Sequence, residues 1–257
     1  MSKILIVGST HGHERIGLRI IEELKQLNID KNLVDFEIGN PKASEKNIPF
    51  VESDLNRVFP GKEHGTYEEM RAFELSKKIL EAEIVIDIHS TNTTDLSNMS
   101  MLIVTKYDEE TKKIIDIINP PKVLYMKYKG VNALISQAKI GIAFEYGKDS
   151  SVDVLRSTLF DIAKLLVNLK IIEKNSYINP RVEIETETFE VYDVFKRTFI
   201  GDYVLDKNIL NFTLCTKDSA VCSIDMDKRI IADEDFVPIL FGKNRYTEIL
   251  GFKGKRI

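Results

Sequence analysis

Ile4-Leu5-Ile6-Val7-Gly8-Ser9-Thr10-His11-Gly12-His13-Glu14 opens the chain and decides how the rest is read. The apolar run Ile4 to Val7 has strand character, and Gly8-Ser9-Thr10 is a tight turn. Ile16, Ile20, Ile21 and Leu24 then recur at three- and four-residue spacing, as on one face of a helix. At the junction sit His11 and Glu14, a His-x-x-Glu pair. A strand-to-helix turn aims both side chains at one point beyond the strand's carboxyl end, where ligands collect in open α/β sheets. An imidazole and a carboxylate converging there are two ligands for a zinc-type ion and require a third.

Outward from this stretch, strand and helix patterns alternate. Val34 to Ile38 reads as a strand, broken by Gly39-Asn40-Pro41. From there to Gly65 no period is sustained, and a loop of that length inside a compact domain is commonly functional. It carries Asp54-Leu55-Asn56-Arg57-Val58-Phe59-Pro60-Gly61. A helix is predicted over Thr66 to Ala82, with Thr66 and Glu69 forming a capping box. Ile84 to Ile88 is a buried strand that ends at His89. Met101 to Val104 and Val123 to Met126 are further strands, with a helix over Glu109 to Ile118 between them. Ile140 to Phe144 is a strand that delivers Glu145, and Ser151 to Leu169 is an amphipathic helix. This alternation predicts a three-layer α/β/α domain with a mixed sheet. The period changes at Val182 to Val194, which alternates as a half-exposed antiparallel strand does. A boundary near Asn175 to Pro180 therefore separates a catalytic domain, residues 1–174, from a small β-rich domain, residues 175–257.

The 257 residues are 43% hydrophobic and 30% charged, a globular balance, with a formal charge of -4 that argues against a nucleic-acid partner. No apolar run approaches the roughly 20 residues of a membrane helix. The N-terminus enters a strand without a signal-peptide h-region, so a cytoplasmic location is expected. Cys215 and Cys222 have spacing compatible with a disulfide, but reduced thiols are expected in that compartment. Homo-oligomerisation is left open.

His89 is the natural third ligand, since it ends a buried strand as His11 follows one. Two histidines and a glutamate leave a fourth position for water, the catalytic arrangement of zinc, with one ion per chain. Asp87, two residues earlier on the same strand face, is placed to accept the second imidazole N–H of a ligand histidine. Glu145 follows an apolar strand that partly desolvates its carboxylate, which suits a general base. Arg57 offers a planar fork for a substrate carboxylate, with the amide of Asn56 beside it. Each group also has a plain reading. Glu14 suits a helix N-terminus, Asp54 and Asn56 suit turns, and Arg57 suits a surface ion pair. His13 and His64 keep the plain reading as solvated or supporting groups. Four of the groups fall at strand ends or in the long loop, and that convergence favours a site.

Taken in order, His11-Gly12-His13-Glu14, Asn40-Pro41-x-Ala43, Asp54-Leu55-Asn56-Arg57-x-Phe59-Pro60-Gly61, Asp87-Ile88-His89 and Glu145 resemble the succinylglutamate desuccinylase/aspartoacylase family. These are zinc hydrolases related to carboxypeptidase A. The resemblance implies His11, Glu14 and His89 as zinc ligands, Glu145 as the catalytic glutamate, and Asn56 and Arg57 as carboxylate anchors. It implies a carboxypeptidase-like α/β/α domain followed by a small β domain. Pro238 to Tyr246 resembles the family's closing segment, which implies that Tyr246 reaches the substrate. Pro49 and Ile135 stand where the aspartoacylase branch has arginines for the acyl carbonyl and a second carboxylate. The resemblance thus carries over the metal and the base but not that second clamp.

The expected function is zinc-dependent hydrolysis of the amide of a small N-acyl amino acid. A carboxypeptidase using the same groups is the alternative among enzymes, and a non-catalytic metal binder is the alternative outside them. A dinucleotide or nucleotide site is disfavoured, because Gly8 to Gly12 lacks G-x-G-x-x-G spacing and there is no P-loop.

Overall fold

The computed structural model describes residues 3–91, 96, 99–130, 132–173, 184–224, 228–242 and 246–257. In chain order the elements are β1 (Ile4–Gly8), α1 (Ile16–Lys25), β2 (Val34–Ile38), α2 (Pro41–Lys46), α3 (Tyr67–Glu81), β3 (Ile84–His89), β4 (Ser100–Val104), α4 (Glu109–Ile118), β5 (Lys122–Met126), β6 (Ile140–Tyr146) and α5 (Val152–Asn168). There follow β7 (Glu187–Lys196), β8 (Val204–Leu205), β9 (Ala220–Ile224), β10 (Lys228–Ile231), β11 (Val237–Ile239) and β12 (Ile249–Arg256). The chain divides into two compact units, Met1–Val123 with Lys129–Thr186, and Leu124–Tyr128 with Glu187–Ile257. The boundary expected from sequence, Asn175 to Pro180, lies outside the described residues.

In the first unit the strands run in the order β4-β6-β3-β1-β2. β2, β1, β3 and β6 are mutually parallel and β4 is antiparallel to β6, so the sheet is mixed. Side chains alternate across a strand, and the register sorts them into two faces. Leu5, Val7, Val85 and Ala143 pack with Ala72, Leu75 and Ile79 of α3. Burying an aliphatic side chain of this kind contributes about 1.5–3 kcal/mol. Asp87, His89 and Glu145 follow at even spacing on that same face, with His89 directly opposite Glu145. The other face holds Phe144 and Tyr146, and the Tyr146 hydroxyl donates to buried Asp161 of α5 at 2.7 Å. α1 lies against β1 and α5. It comes so near that a Cβ on Gly8 would stand 2.6 Å from the Gly17 carbonyl carbon. Two helical layers thus enclose the sheet.

α3 starts where the capping box places it, with Thr66 and Glu69 bonded reciprocally. The stretch Gly39 to Gly65, expected to be a loop, departs from that expectation. Asn40 caps α2 by accepting the Ala43 N–H, with Pro41 in the first turn where its missing N–H costs nothing. Asp54 likewise caps a 3-10 turn over Leu55–Arg57. Both elements are too short to show a hydrophobic period.

The second unit holds the order β11-β12-β7-β5 and a three-stranded sheet β10-β9-β8. β7 pairs antiparallel with β12, as its alternating sequence leads one to expect. Its core is aromatic, with Phe195, Phe236 and Phe241 packed in tilted and edge-on pairs at centroid distances of 5.7–6.0 Å. Cys215 and Cys222 are free and buried there, and burial pushes the Cys222 thiol up to about 11. Among the described residues no helix is long and apolar enough to cross a membrane.

Candidate active site

The turn after β1 holds its shape by close backbone contact. A Cβ on Gly12 would lie 2.1 Å from the Ala43 carbonyl carbon, so the turn carrying His11 presses directly on α2. The Gly12 N–H also donates to the Pro49 carbonyl at 3.1 Å. α1 begins immediately after Glu14, and Arg15 gives it no side-chain cap. Asp149, in the loop after β6, accepts the Ile16 N–H at 2.7 Å instead. The loop that follows Glu145 therefore pins the helix that follows Glu14.

The three expected ligands converge. His11, Glu14 and His89 each offer an atom within 4.8 Å of the others. Both imidazoles are held in the same manner. His89 Nε2 meets Asp87 Oδ2 at 2.7 Å, and His89 Nδ1 faces Glu14 Oε2 at 2.9 Å. His11 Nε2 meets Asp54 Oδ1 at 3.1 Å, and His11 Nδ1 faces Glu14 Oε1 at 3.0 Å. An ionised carboxylate only accepts, so each aspartate takes an Nε2–H and leaves Nδ1 turned to the centre. Two ligands each about 2.1 Å from a tetrahedral ion stand about 3.4 Å apart. Small outward shifts of these groups thus admit a cation, and the donor set of two imidazoles and one carboxylate fits zinc.

The electrostatics agree with that fit. Burial opposes a charge on His11, but Asp54 and Glu14 outweigh it and raise its pKa to about 9. Burial likewise opposes charge on His89, and Asp87 and Glu14 hold its pKa well above the ordinary value. Burial pushes the Glu14 carboxyl up, yet His89 and His11 hold it well below the usual carboxylate range. The centre is a buried anionic nest that requires positive charge, as a divalent ion supplies it.

Asp87, which faces His89 through Oδ2, has its second oxygen accepting from the Thr10 hydroxyl at 2.6 Å. Asp54 does more than shape a turn. It accepts the Asn56 N–H at 2.8 Å and also holds His11 across 43 residues of sequence. Asn56 has its amide oxygen fastened by the Leu134 N–H at 2.8 Å, which directs Nδ2 toward His89 at 3.5 Å. The Arg57 guanidinium is 42% exposed, with Nη1 on the Asn56 carbonyl at 2.9 Å and 3.9 Å from Asp54. Glu145 accepts from the Thr91 hydroxyl at 2.9 Å. Ile135 is buried in the apolar cluster under α3. His13 has its Nδ1 buried without a partner among the described residues, and its ring centroid is 6.3 Å from that of His11. Tyr246 belongs to the second unit, where its ring stands edge-on to Phe252 at 5.7 Å.

One supporting residue had no functional signal in the sequence. Glu68 of α3 is fully buried, and its carboxylate accepts the N–H groups of Val51, Glu52 and Ser53 and the Asn40 amide at 2.7–3.2 Å. It thereby anchors the segment leading into Asp54, Asn56 and Arg57. Burial pushes its pKa up, but those four donors pull it below the ordinary value. A depressed folded-state pKa contributes stability above the unfolded value, and this is lost as pH falls through the folded value. Glu68→Gln is expected to cost about 1–3 kcal/mol at pH 7. The gap to wild type narrows on acidification, and urea unfolding at several pH values measures both.

Among curated relatives, a "Probable aspartoacylase" of Nostoc sp. is 32% identical over 188 residues, 65% of this chain and 62% of that protein. An "N-acyl-aromatic-L-amino acid amidohydrolase (carboxylate-forming) B" of Danio rerio is 26% identical over 195 residues, 65% of this chain and 61% of that protein. The matched stretch thus spans about three fifths of these relatives' own length. In fold, the chain superposes over its full length on 95% of murine aminoacylase 3, with a TM-score of 0.79 at 14% identity. It also superposes on 82% of the Vibrio parahaemolyticus succinylglutamate desuccinylase, with a TM-score of 0.75 at 18% identity. Residues 1–169 match the model of the succinylglutamate desuccinylase/aspartoacylase catalytic domain, and the chain belongs to that family.

Proposed function

We propose that this protein is a zinc-dependent amidohydrolase that removes the acyl group from a small N-acyl amino acid. The convergence of His11, Glu14 and His89, with each imidazole held by its own aspartate, is the observation that carries the reading. The names of the curated relatives support an acyl-amide substrate. A zinc ion held by these three residues supplies Lewis acidity toward an acyl carbonyl and acidifies water. Glu145 takes a proton from the attacking water as its oxygen bonds to the acyl carbon. It returns that proton to the amine nitrogen as the C–N bond breaks, releasing a carboxylate and an amine. Asn56 and Arg57 hold the carboxylate on the amine side. Pro49 and Ile135 supply no cation, which favours a substrate without a second carboxylate.

The test is hydrolysis by the zinc-supplied protein of a panel including N-acetyl-aspartate, N-succinyl-glutamate, N-acetyl-phenylalanine and short peptides. Release of amino acid from an N-acyl substrate supports the reading. Cleavage of peptides alone means a carboxypeptidase, and no cleavage at all means a non-catalytic metal binder. Arg57→Ala is expected to raise KM about 10–100-fold, the worth of a charge-assisted hydrogen bond. For the matching amide, which lacks the carboxylate, KM changes little.

A further inference from the structure

We infer that Thr91 is a positioning residue for Glu145, holding its carboxylate in the orientation from which it meets the attacking water; this rests on the base role proposed above. Thr91 lies two residues beyond His89 and is 2% exposed. Its hydroxyl donates to Glu145 Oε2 at 2.9 Å, and its backbone N–H donates to the Gly147 carbonyl at 2.7 Å. The chain leaving β3 is thus fastened twice to the chain leaving β6, on either side of Tyr146. Register adds a third tie, since His89 stands directly opposite Glu145. A glutamate at the end of a strand has three side-chain torsions to settle, and nothing in its own sequence sets them. Threonine suits this duty because β-branching restricts its χ1, so Oγ1 holds a fixed direction. Proton transfer needs the base within hydrogen-bond reach of its proton. A misplacement of about 1 Å can cost about 10²-fold in rate. The same strand that supplies the ligand His89 therefore also aims the base.

Thr91→Val keeps the shape and removes the donor, whereas Thr91→Ser keeps the donor. Each is prepared as the full zinc-loaded chain and assayed on N-acyl amino acids that the wild type cleaves. Zinc content and thermal midpoint are measured alongside. Thr91→Val is expected to lower kcat about 10–100-fold with KM within about twofold and zinc retained. Thr91→Ser restores most of the rate. In the Glu145→Gln background Thr91→Val adds little further loss, because a residue acting through Glu145 has nothing left to position. Wild-type kcat in Thr91→Val beside an inactive Glu145→Gln overturns the inference. So does an equal loss from Thr91→Val in both backgrounds, or no rescue by serine. A Glu145→Gln protein with full kcat, or a wild type that cleaves neither N-acyl amino acids nor peptides, overturns the base role itself and this inference with it.

Discussion

Glu145→Gln is expected to reduce kcat by about 10²–10⁴-fold while leaving zinc content and the thermal midpoint near wild type. The carboxylate is not among the converging ligand atoms, so its loss leaves the metal's donors intact. The amide is nearly isosteric and still accepts the Thr91 hydroxyl through its oxygen, so the local fold persists. What disappears is the basic oxygen proposed to receive the proton of water. KM for a carboxylate-bearing substrate is expected to change less than kcat, since that binding is proposed for Asn56 and Arg57. Steady-state kinetics with metal analysis on the same preparations separates these effects. Loss of zinc together with activity would assign Glu145 a structural role instead.

Asp87→Asn is expected to weaken zinc affinity about 10–100-fold, the usual consequence of losing a carboxylate behind a ligand histidine. Asp87 is 1% exposed and accepts from both His89 and Thr10, so solvent cannot replace it. An asparagine that keeps the Thr10 bond presents an N–H donor to His89 Nε2. The imidazole then places its proton on Nδ1, the nitrogen turned to the centre. Asp54→Asn acts on His11 in the same sense but more weakly, because its side chain is 27% exposed and water takes part of its place. Competition for zinc with a chelating dye measures both. Equal affinity in Asp87→Asn and wild type would mean that the aspartate does not set the tautomer.

The sequence carried most of this architecture because its long elements have clear periods. β1 and α1, the capping box of α3, and the strands carrying His89 and Glu145 all stand as their patterns indicate. Alternation along β3 also put Asp87 and His89 on one face before any coordinates did. What stayed hidden was short or distant. α2 has six residues, too few for a period, although Asn40-Pro41 is a cap followed by a first-turn proline that reads at first sight as a strand breaker. Asp54 shows only its local turn bond in sequence, since its partner His11 comes near only when α2 and the turn after β1 pack. Glu68 looks like an acid at a helix N-terminus, and its three backbone partners exist only in the folded loop. β5 reads as one more strand of the alternating domain, yet Leu124–Tyr128 fall in the C-terminal unit beside β7, a pairing that no local pattern encodes.

The most direct test of the account is the zinc content of the purified full chain by mass spectrometry, with His11→Ala and His89→Ala beside it. About one zinc per wild-type chain is expected, with loss of that zinc in both variants, each still folded by circular dichroism. A folded wild type that takes up no zinc when it is supplied, or two variants that both retain it, would contradict the account.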